Sequence, residues 1–143
     1  MTFLLENIRN FPVVDFLDKF EKKVKNICDE EISNNPAVII DPASDSHILI
    51  NKIKEENLDV KYIVITHGHA DHIGALSDIL EFTNAKIIIH KNDKDALIGK
   101  KENYSEALGM SVVNINENNI LSIEDGYTFN VENMNFEVIH TPG

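Results

Sequence analysis

The chain has 143 residues, of which 43% are hydrophobic and 26% are charged, a composition typical of a soluble globular protein of one domain. Its net charge of −11 disfavours binding to nucleic acid and to anionic membrane surfaces. The single cysteine, Cys28, cannot form an intrachain disulfide, and because neither a basic leader nor a membrane-length apolar run is present, we expect a cytoplasmic protein.

The first predicted element is an amphipathic helix between Pro12 and Ile27. Apolar residues recur there at helical spacing, with charged residues between them, and proline suits a first helical turn. We therefore predict that residues 1–30 form an N-terminal helical extension and that residues 31–143 form one folded unit.

The next segments alternate between short apolar runs and amphipathic stretches. Apolar runs of this length between turn residues are typical of buried strands, and the longer periodic stretches are typical of helices. Such alternation predicts an α/β fold in which neighbouring strands run parallel. The predicted elements are a strand "PAVIID" ending at Asp41, a helix over 45–57, a strand "KYIVIT", a helix from His72 to about Phe82, and a strand "AKIIIH".

The pattern changes after His90. A long polar connection with short helices follows, and then "SVVNI" is predicted to be another strand. The segments "YTFNV" and "NFEVIH" alternate with a period of two residues and are joined by the turn-like "ENMN". This pattern predicts an antiparallel hairpin.

Four side chains suited to metal binding lie within six positions, directly after the strand "KYIVIT". Imidazole and carboxylate are ligands that zinc and similar ions accept, so His67 and His69 could bind one metal and Asp71 and His72 a second. Paired metals in hydrolytic sites lie about 3.5–4 Å apart. Two other interpretations concern single residues: Asp71 could be a helix N-cap, and a lone His67 could be structural.

The segment "THGHADHIGA" resembles the H-x-H-x-D-H signature of the metallo-β-lactamase superfamily. "VIIDPAS" before it and "FEVIHTPG" at the end also resemble that family, so the likeness covers about residues 36–143. With "NYSEALG" in the connecting region, the chain is most similar to the glyoxalase II-like thioester hydrolases. The resemblance implies half of an αβ/βα sandwich, with a mixed sheet, helices and the metals at the sheet edge.

The resemblance also implies roles for individual residues. His67 and His69 would bind the first metal, Asp71 and His72 would bind the second, and Asp71 would also orient the hydroxide nucleophile. Asp41 would support the ligand turn from behind. Zinc is the expected metal, in a two-metal site, with iron or manganese as alternatives.

The other histidines are not expected to bind metal. His140 matches the first histidine of the family's H-T-P-G-H stretch, which is not the usual ligand. His90 and His47 match no ligand position, and we expect them to be structural or to face solvent.

The family pattern continues beyond Gly143 with three more ligands and a second half of the fold. We therefore predict the truncated N-terminal half of a metal-dependent hydrolase that acts, when complete, on a thioester or related acyl substrate. Alone, the chain would be deficient in catalysis and could self-associate through an exposed sheet. Two alternatives stay open: a non-catalytic fold half that binds metal or a partner, and an enzyme similar to the mononuclear iron persulfide dioxygenases.

Overall fold

A computed structural model describes residues 2–5, 35–109 and 115–142. Its order of strands and helices confirms the predicted α/β class. The elements are β1 (Thr2–Leu5), β2 (Asn35–Ile40), α1 (Ser46–Glu55), β3 (Leu58–Ile65), α2 (Ala70–Ile73), α3 (Leu76–Thr83), β4 (Lys86–His90), α4 (Lys94–Leu97), a 3-10 turn (Glu117–Asn119), β5 (Ile120–Ile123), β6 (Thr128–Val131) and β7 (Met134–Ile139).

The centre of the fold is a four-stranded parallel sheet in the order β2-β3-β4-β5. Strands β3 and β4 are rich in β-branched residues, which suit a sheet buried on both faces. The face towards α1 and α3 carries four isoleucines that are 0% or nearly 0% exposed. They are Ile63, Ile65, Ile87 and Ile89.

A one-residue bulge interrupts the pairing of β2 with β3. Ala37 pairs with Val60 and Val38 pairs with Tyr62, so Lys61 has no partner in β2. Because the bulge resets the alternation of side chains, Val60 lies on the same face as Ile63.

A second sheet, of order β1-β7-β6, is antiparallel and covers the other face of the parallel sheet. The inward side chains of β6 and β7 alternate along these strands as the sequence predicted, and Phe129 stacks on Phe136 with ring centroids 4.6 Å apart. These rings pack against Val64 and Ile88. The described elements therefore form three layers: helices, parallel sheet and antiparallel sheet.

Some predicted elements differ from those in the structure. The predicted continuous helix from His72 to Phe82 is wrong, because the chain forms α2 and α3 with a break at Gly74 and Ala75. Strands β1 and β5 were not predicted from the sequence; β1 pairs with β7 and β5 with β4. The predicted helix over 12–27, Cys28 and most of "SVVNI" lie outside the described residues.

The exposed apolar face expected from the sequence is largely covered by the chain itself. Helices and the hairpin bury β3 and β4, whereas the edge strand β2 stays half-buried, with Ile40 39% exposed. Self-association remains a prediction. None of the described helices has the length and apolar character needed to span a bilayer.

Candidate metal centre

The candidate site lies at the carboxyl ends of β2 and β3. Asp41 follows β2 and Thr66 follows β3, and since these strands are parallel neighbours, both residues reach the same sheet edge. Three imidazoles gather there: the ring centroid of His67 lies 4.5 Å from that of His69 and 4.0 Å from that of His72. The structure thus brings the predicted histidine ligands together.

Asp41 is the centre of the hydrogen bonds behind this cluster. Its Oδ1 accepts from the backbone N–H of Thr66 at 2.8 Å, and its Oδ2 accepts from the Thr66 hydroxyl at 2.6 Å. The same Oδ2 lies 3.0 Å from Nδ1 of His72. Asp41 has a left-handed backbone, with φ 47°, an uncommon conformation that concentrates at functional sites. Asp41 thus lies behind the histidines, and its role in supporting metal ligands remains a prediction.

These contacts assign the protons on two imidazoles. The Thr66 hydroxyl has one proton, which it donates to Asp41. The Thr66 oxygen also lies 3.1 Å from Nδ1 of His67, and since its proton is already used, it accepts a hydrogen bond from that nitrogen. An ionised Asp41 only accepts, so Nδ1 of His72 also donates. When either ring is neutral, its Nε2 therefore carries the lone pair, which is the form that binds a metal.

The surroundings of His67 favour its neutral imidazole form. Burial lowers the pKa of His67 below its ordinary value, and the nearby His72 and His69 lower it further. A neutral ring is required for coordination, so this environment suits a metal ligand.

Asp71 occupies the first turn of α2 with its side chain 64% exposed. The N-cap of that helix is His69, which excludes the alternative that Asp71 is the cap. The Asp71 carboxylate lies 3.7 Å from Nε2 of His72, on the side of the ring opposite Asp41. Asp71 and His72 thus lie side by side, and their role as a ligand pair remains a prediction.

Close packing holds the ligand turn in place. A Cβ atom on Gly68 would lie 2.8 Å from Cβ of Ala96 and 2.8 Å from the backbone nitrogen of Leu97, both in α4. Only glycine allows so close an approach without a shift of the backbone. Two residues after Gly68, the Ala70 N–H donates to the Asn103 carbonyl at 2.8 Å. The turn therefore lies between α4 and the segment that begins at Asn103.

The four predicted ligands do not by themselves form a closed site. In the part of the chain that the structure describes, no group of three or more His, Cys, Asp and Glu side chains is arranged to hold one metal ion. Their donor chemistry nevertheless fits such an ion, because lone pairs on Nε2 of His67 and His72 are left free by the hydrogen bonds to Nδ1. The ligand roles remain predictions.

Comparison with known proteins identifies the family. Residues 31–143 match the sequence profile of the metallo-beta-lactamase superfamily. The chain belongs to this superfamily. Among its relatives in the superfamily is the hydroxyacylglutathione hydrolase GloC of Haemophilus influenzae, which is 28% identical over 138 residues. That alignment covers 96% of this chain and 61% of the relative.

Solved structures of the superfamily share the fold. The BLEG-1 B3 metallo-β-lactamase is 30% identical with a TM-score of 0.65, and the match covers 76% of this chain and 52% of that one. TTHA1623, solved in a di-iron-bound form, is 25% identical with a TM-score of 0.60, covering 73% of this chain and 50% of that one. The chain thus spans about half the length of these metallo-β-lactamase folds, which confirms the predicted fold class.

The remaining described histidines are His47, His90 and His140. His47 is exposed on α1, and His90 is buried at the end of β4, 3% exposed, where its Nδ1 accepts from the backbone N–H of Asn92. His140 stacks on His90 with ring centroids 3.8 Å apart.

Sequence reasoning missed two residues of the site. Thr66 stands next to His67 in the quoted motif, and a hydroxyl beside a ligand could have identified it as a hydrogen-bond partner. Tyr104 lies with its ring centroid 4.9 Å from that of His69, although 35 positions separate the two in the sequence. No local pattern indicates that contact.

Proposed function

We propose that the chain carries metal ligands of a hydrolase that cleaves thioesters or related acyl bonds. The observation that carries the proposal is the cluster of three imidazoles backed by Asp41, at the sheet edge of a metallo-β-lactamase fold. Clustered imidazoles whose Nδ1 atoms are already hydrogen-bonded present their Nε2 atoms for coordination. The His67 ring lies against both of the others, and such crowding of ligand-type side chains is explained more simply by bound metal than by packing.

His67 and His69 would hold one metal, and Asp71 and His72 a second. Asp41 would fix the ring of His72 directly and that of His67 through Thr66. A bound divalent metal supplies Lewis acidity, which lowers the pKa of water and polarises a carbonyl. The exposed carboxylate of Asp71 would orient the attacking water and accept a proton from it.

The substrate class rests on the relatives. GloC is named a hydroxyacylglutathione hydrolase, and the acyl group of such a substrate is carried on sulfur, as a thioester. An open sheet edge with the exposed side chains of His69 and Asp71 would admit a small acyl substrate. We therefore propose a small-molecule thioester or related ester as the substrate.

The proposed metal is zinc, since imidazole and carboxylate ligands suit it. Iron is the main alternative, because the similar TTHA1623 was solved in a di-iron-bound form. Manganese is the third metal to test.

Metal analysis tests this proposal most directly. The chain would be purified without chelators, and its zinc, iron and manganese content would be measured beside a variant with both His67→Ala and His69→Ala. We expect metal in the wild type and little in the variant. Equal metal content in the two would contradict the ligand assignment.

Activity would then be assayed with a panel of thioesters, using the 143-residue chain and a version extended by a superfamily-like second half. We expect slow turnover by the 143-residue chain, faster turnover by the extended one, and loss of both on Asp71→Ala. Bound metal without turnover in either protein would favour a non-catalytic metal-binding role. Turnover unaffected by Asp71→Ala would contradict the role given to that carboxylate.

A further inference from the structure

Tyr104 adopts a backbone conformation that is unfavourable for its residue type. Its φ is 63°, in the left-handed region that bulky L-residues rarely occupy. Strain of this kind persists only where the surrounding structure enforces it, and it clusters at ligand sites. The conformation therefore needs an explanation in its neighbours.

The two residues beside Tyr104 hold it in place. Asn103 and Ser105 are both buried, 7% and 4% exposed. The Asn103 side chain donates from Nδ2 to the Ala96 carbonyl at 3.1 Å, and its Oδ1 accepts from the N–H and the hydroxyl of Ser105. Asn103 is thus bonded to α4, the helix against which the metal-ligand turn packs, and Ser105 is bonded to Asn103 across Tyr104.

The fixed backbone directs the Tyr104 ring to the ligand cluster. The ring meets His69 nearly perpendicularly, at 84° between the ring planes. It is nevertheless 51% exposed, and Leu108, which is 54% exposed, follows in the same turn, with its N–H donating to the Tyr104 carbonyl at 3.1 Å. An apolar surface therefore borders the candidate metal site.

Packing does not account for this arrangement. A ring that is half in solvent contributes little to the core, and a smaller residue or glycine would relieve the backbone strain. The position of the ring is explained if a further molecule, bound at the metals, packs against its exposed face.

We propose that Tyr104 is a substrate-contacting residue that selects molecules with an apolar or aromatic group next to the metal-bound end. This inference rests on the proposed function, since it takes the neighbouring histidines as metal ligands. Contact with a ring at this position stabilises an aromatic or aliphatic group more than a polar one.

The test compares two thiols that differ in their apolar part. The 143-residue chain would be loaded with excess Co²⁺, and its visible absorption would be followed during titration with benzyl mercaptan and with 2-mercaptoethanol. Both thiols can coordinate cobalt, but only benzyl mercaptan presents an aromatic ring. The ratio of the two dissociation constants isolates the contribution of that ring.

The main variant is Tyr104→Gly, because glycine adopts a positive φ without strain and removes the ring alone. We expect the preference for benzyl mercaptan to fall roughly 3–10-fold, the range measured for aromatic pairs. Tyr104→Phe should keep the preference. The matched control is Phe82→Ala, which removes another exposed ring, 42% exposed on α3, and should also keep it.

The outcomes separate the two proposals. If Tyr104→Gly binds cobalt and the ratio of the two thiol dissociation constants is unchanged, the role of Tyr104 is overturned, whereas the proposed metal site is still supported. Absence of cobalt binding by the wild type would overturn both. If Tyr104→Gly binds no cobalt, Tyr104→Asn, which also tolerates a positive φ, provides the ring-free comparison, and an unchanged ratio there would overturn the role of Tyr104.

Discussion

The structure contains two groups of crowded histidines at strand ends, and they differ in what surrounds them. In the ligand cluster of His67, His69 and His72, two Nδ1 atoms are hydrogen-bonded through Asp41 and Thr66. In the stacked pair of His90 and His140, the rings lie 3.8 Å apart and nearly parallel, at 10°.

Among the residues that the structure describes, no carboxylate is hydrogen-bonded to a ring of the stacked pair as Asp41 is to His72. Nδ1 of His90 accepts from a backbone N–H, and the buried Nδ1 of His140 has no hydrogen-bond partner among the described residues. Asp125 binds the backbone N–H of His140 and not its ring. Proximity of imidazoles is therefore common to both groups, whereas a carboxylate that orients Nε2 belongs only to the ligand cluster.

The largest effect is expected from removing ligands in one group and not the other. The double variant His67→Ala with His69→Ala should weaken zinc binding by more than about 100-fold, beyond the loss typical of an outer partner. The matched double variant His90→Gln with His140→Gln should leave zinc binding unchanged. Calorimetric titration with zinc measures both, and a similar loss in both would abolish the distinction between the groups.

The carboxylate itself is tested by Asp41→Asn. An amide has a single oxygen acceptor and cannot receive all three hydrogen bonds that Asp41 now accepts. We expect a loss of about 10–100-fold in zinc affinity, the usual effect of losing such a partner. Asp125→Asn, beside the stacked pair, is the control and should have no effect; a wild-type affinity in Asp41→Asn would contradict the orienting role.

The packing behind the ligand cluster is tested by Gly68→Ala. The added Cβ would meet Ala96 and the backbone of Leu97 at 2.8 Å, so overpacking should lower the free energy of unfolding by about 1–3 kcal/mol and also weaken zinc binding. Gly126 has φ 75° and open space around it, so Gly126→Ala introduces backbone strain without a clash. Urea unfolding should show both variants destabilised, while zinc titration should show a loss only in Gly68→Ala. A loss of zinc affinity in both variants would show that general destabilisation, and not the packing of the ligand turn, weakens zinc binding.

The smallest effect concerns the pH dependence of stability through the stacked pair. Burial, and then the neighbouring His140, lower the pKa of His90 below its ordinary value of 6.5. As pH falls through 6.5 the unfolded chain gains a proton at this histidine before the folded chain does, so stability decreases towards acid. Urea unfolding at pH 7.5 and 5.5 should show a smaller decrease for His90→Gln than for the wild type. An identical decrease would show that His90 does not contribute.

The sequence predicted those parts of the molecule that depend on local pattern. The apolar run of β4, the alternation of the β6–β7 hairpin and the spacing of His67, His69, Asp71 and His72 all follow from neighbouring residues. The break between α2 and α3 was missed because apolar residues continue through Ile73 and Leu76 at helical spacing. The proton on His67 depends on Asp41, 26 positions away, and the contact of His69 with Tyr104 depends on how α4 packs. Such contacts are set by tertiary structure.

The bulge at Lys61 has a consequence for how the chain tolerates insertions and deletions. Because Lys61 is unpaired, the residues before it can shift by one position relative to β2 while the segment from Tyr62 to Ile65 keeps its register with β4. Removing Lys61 would restore regular alternation, so Val60 would stay in the isoleucine layer and the strand end that carries Thr66 and His67 would not move. The bulge therefore separates changes of length at the start of β3 from the geometry of the ligand turn at its end.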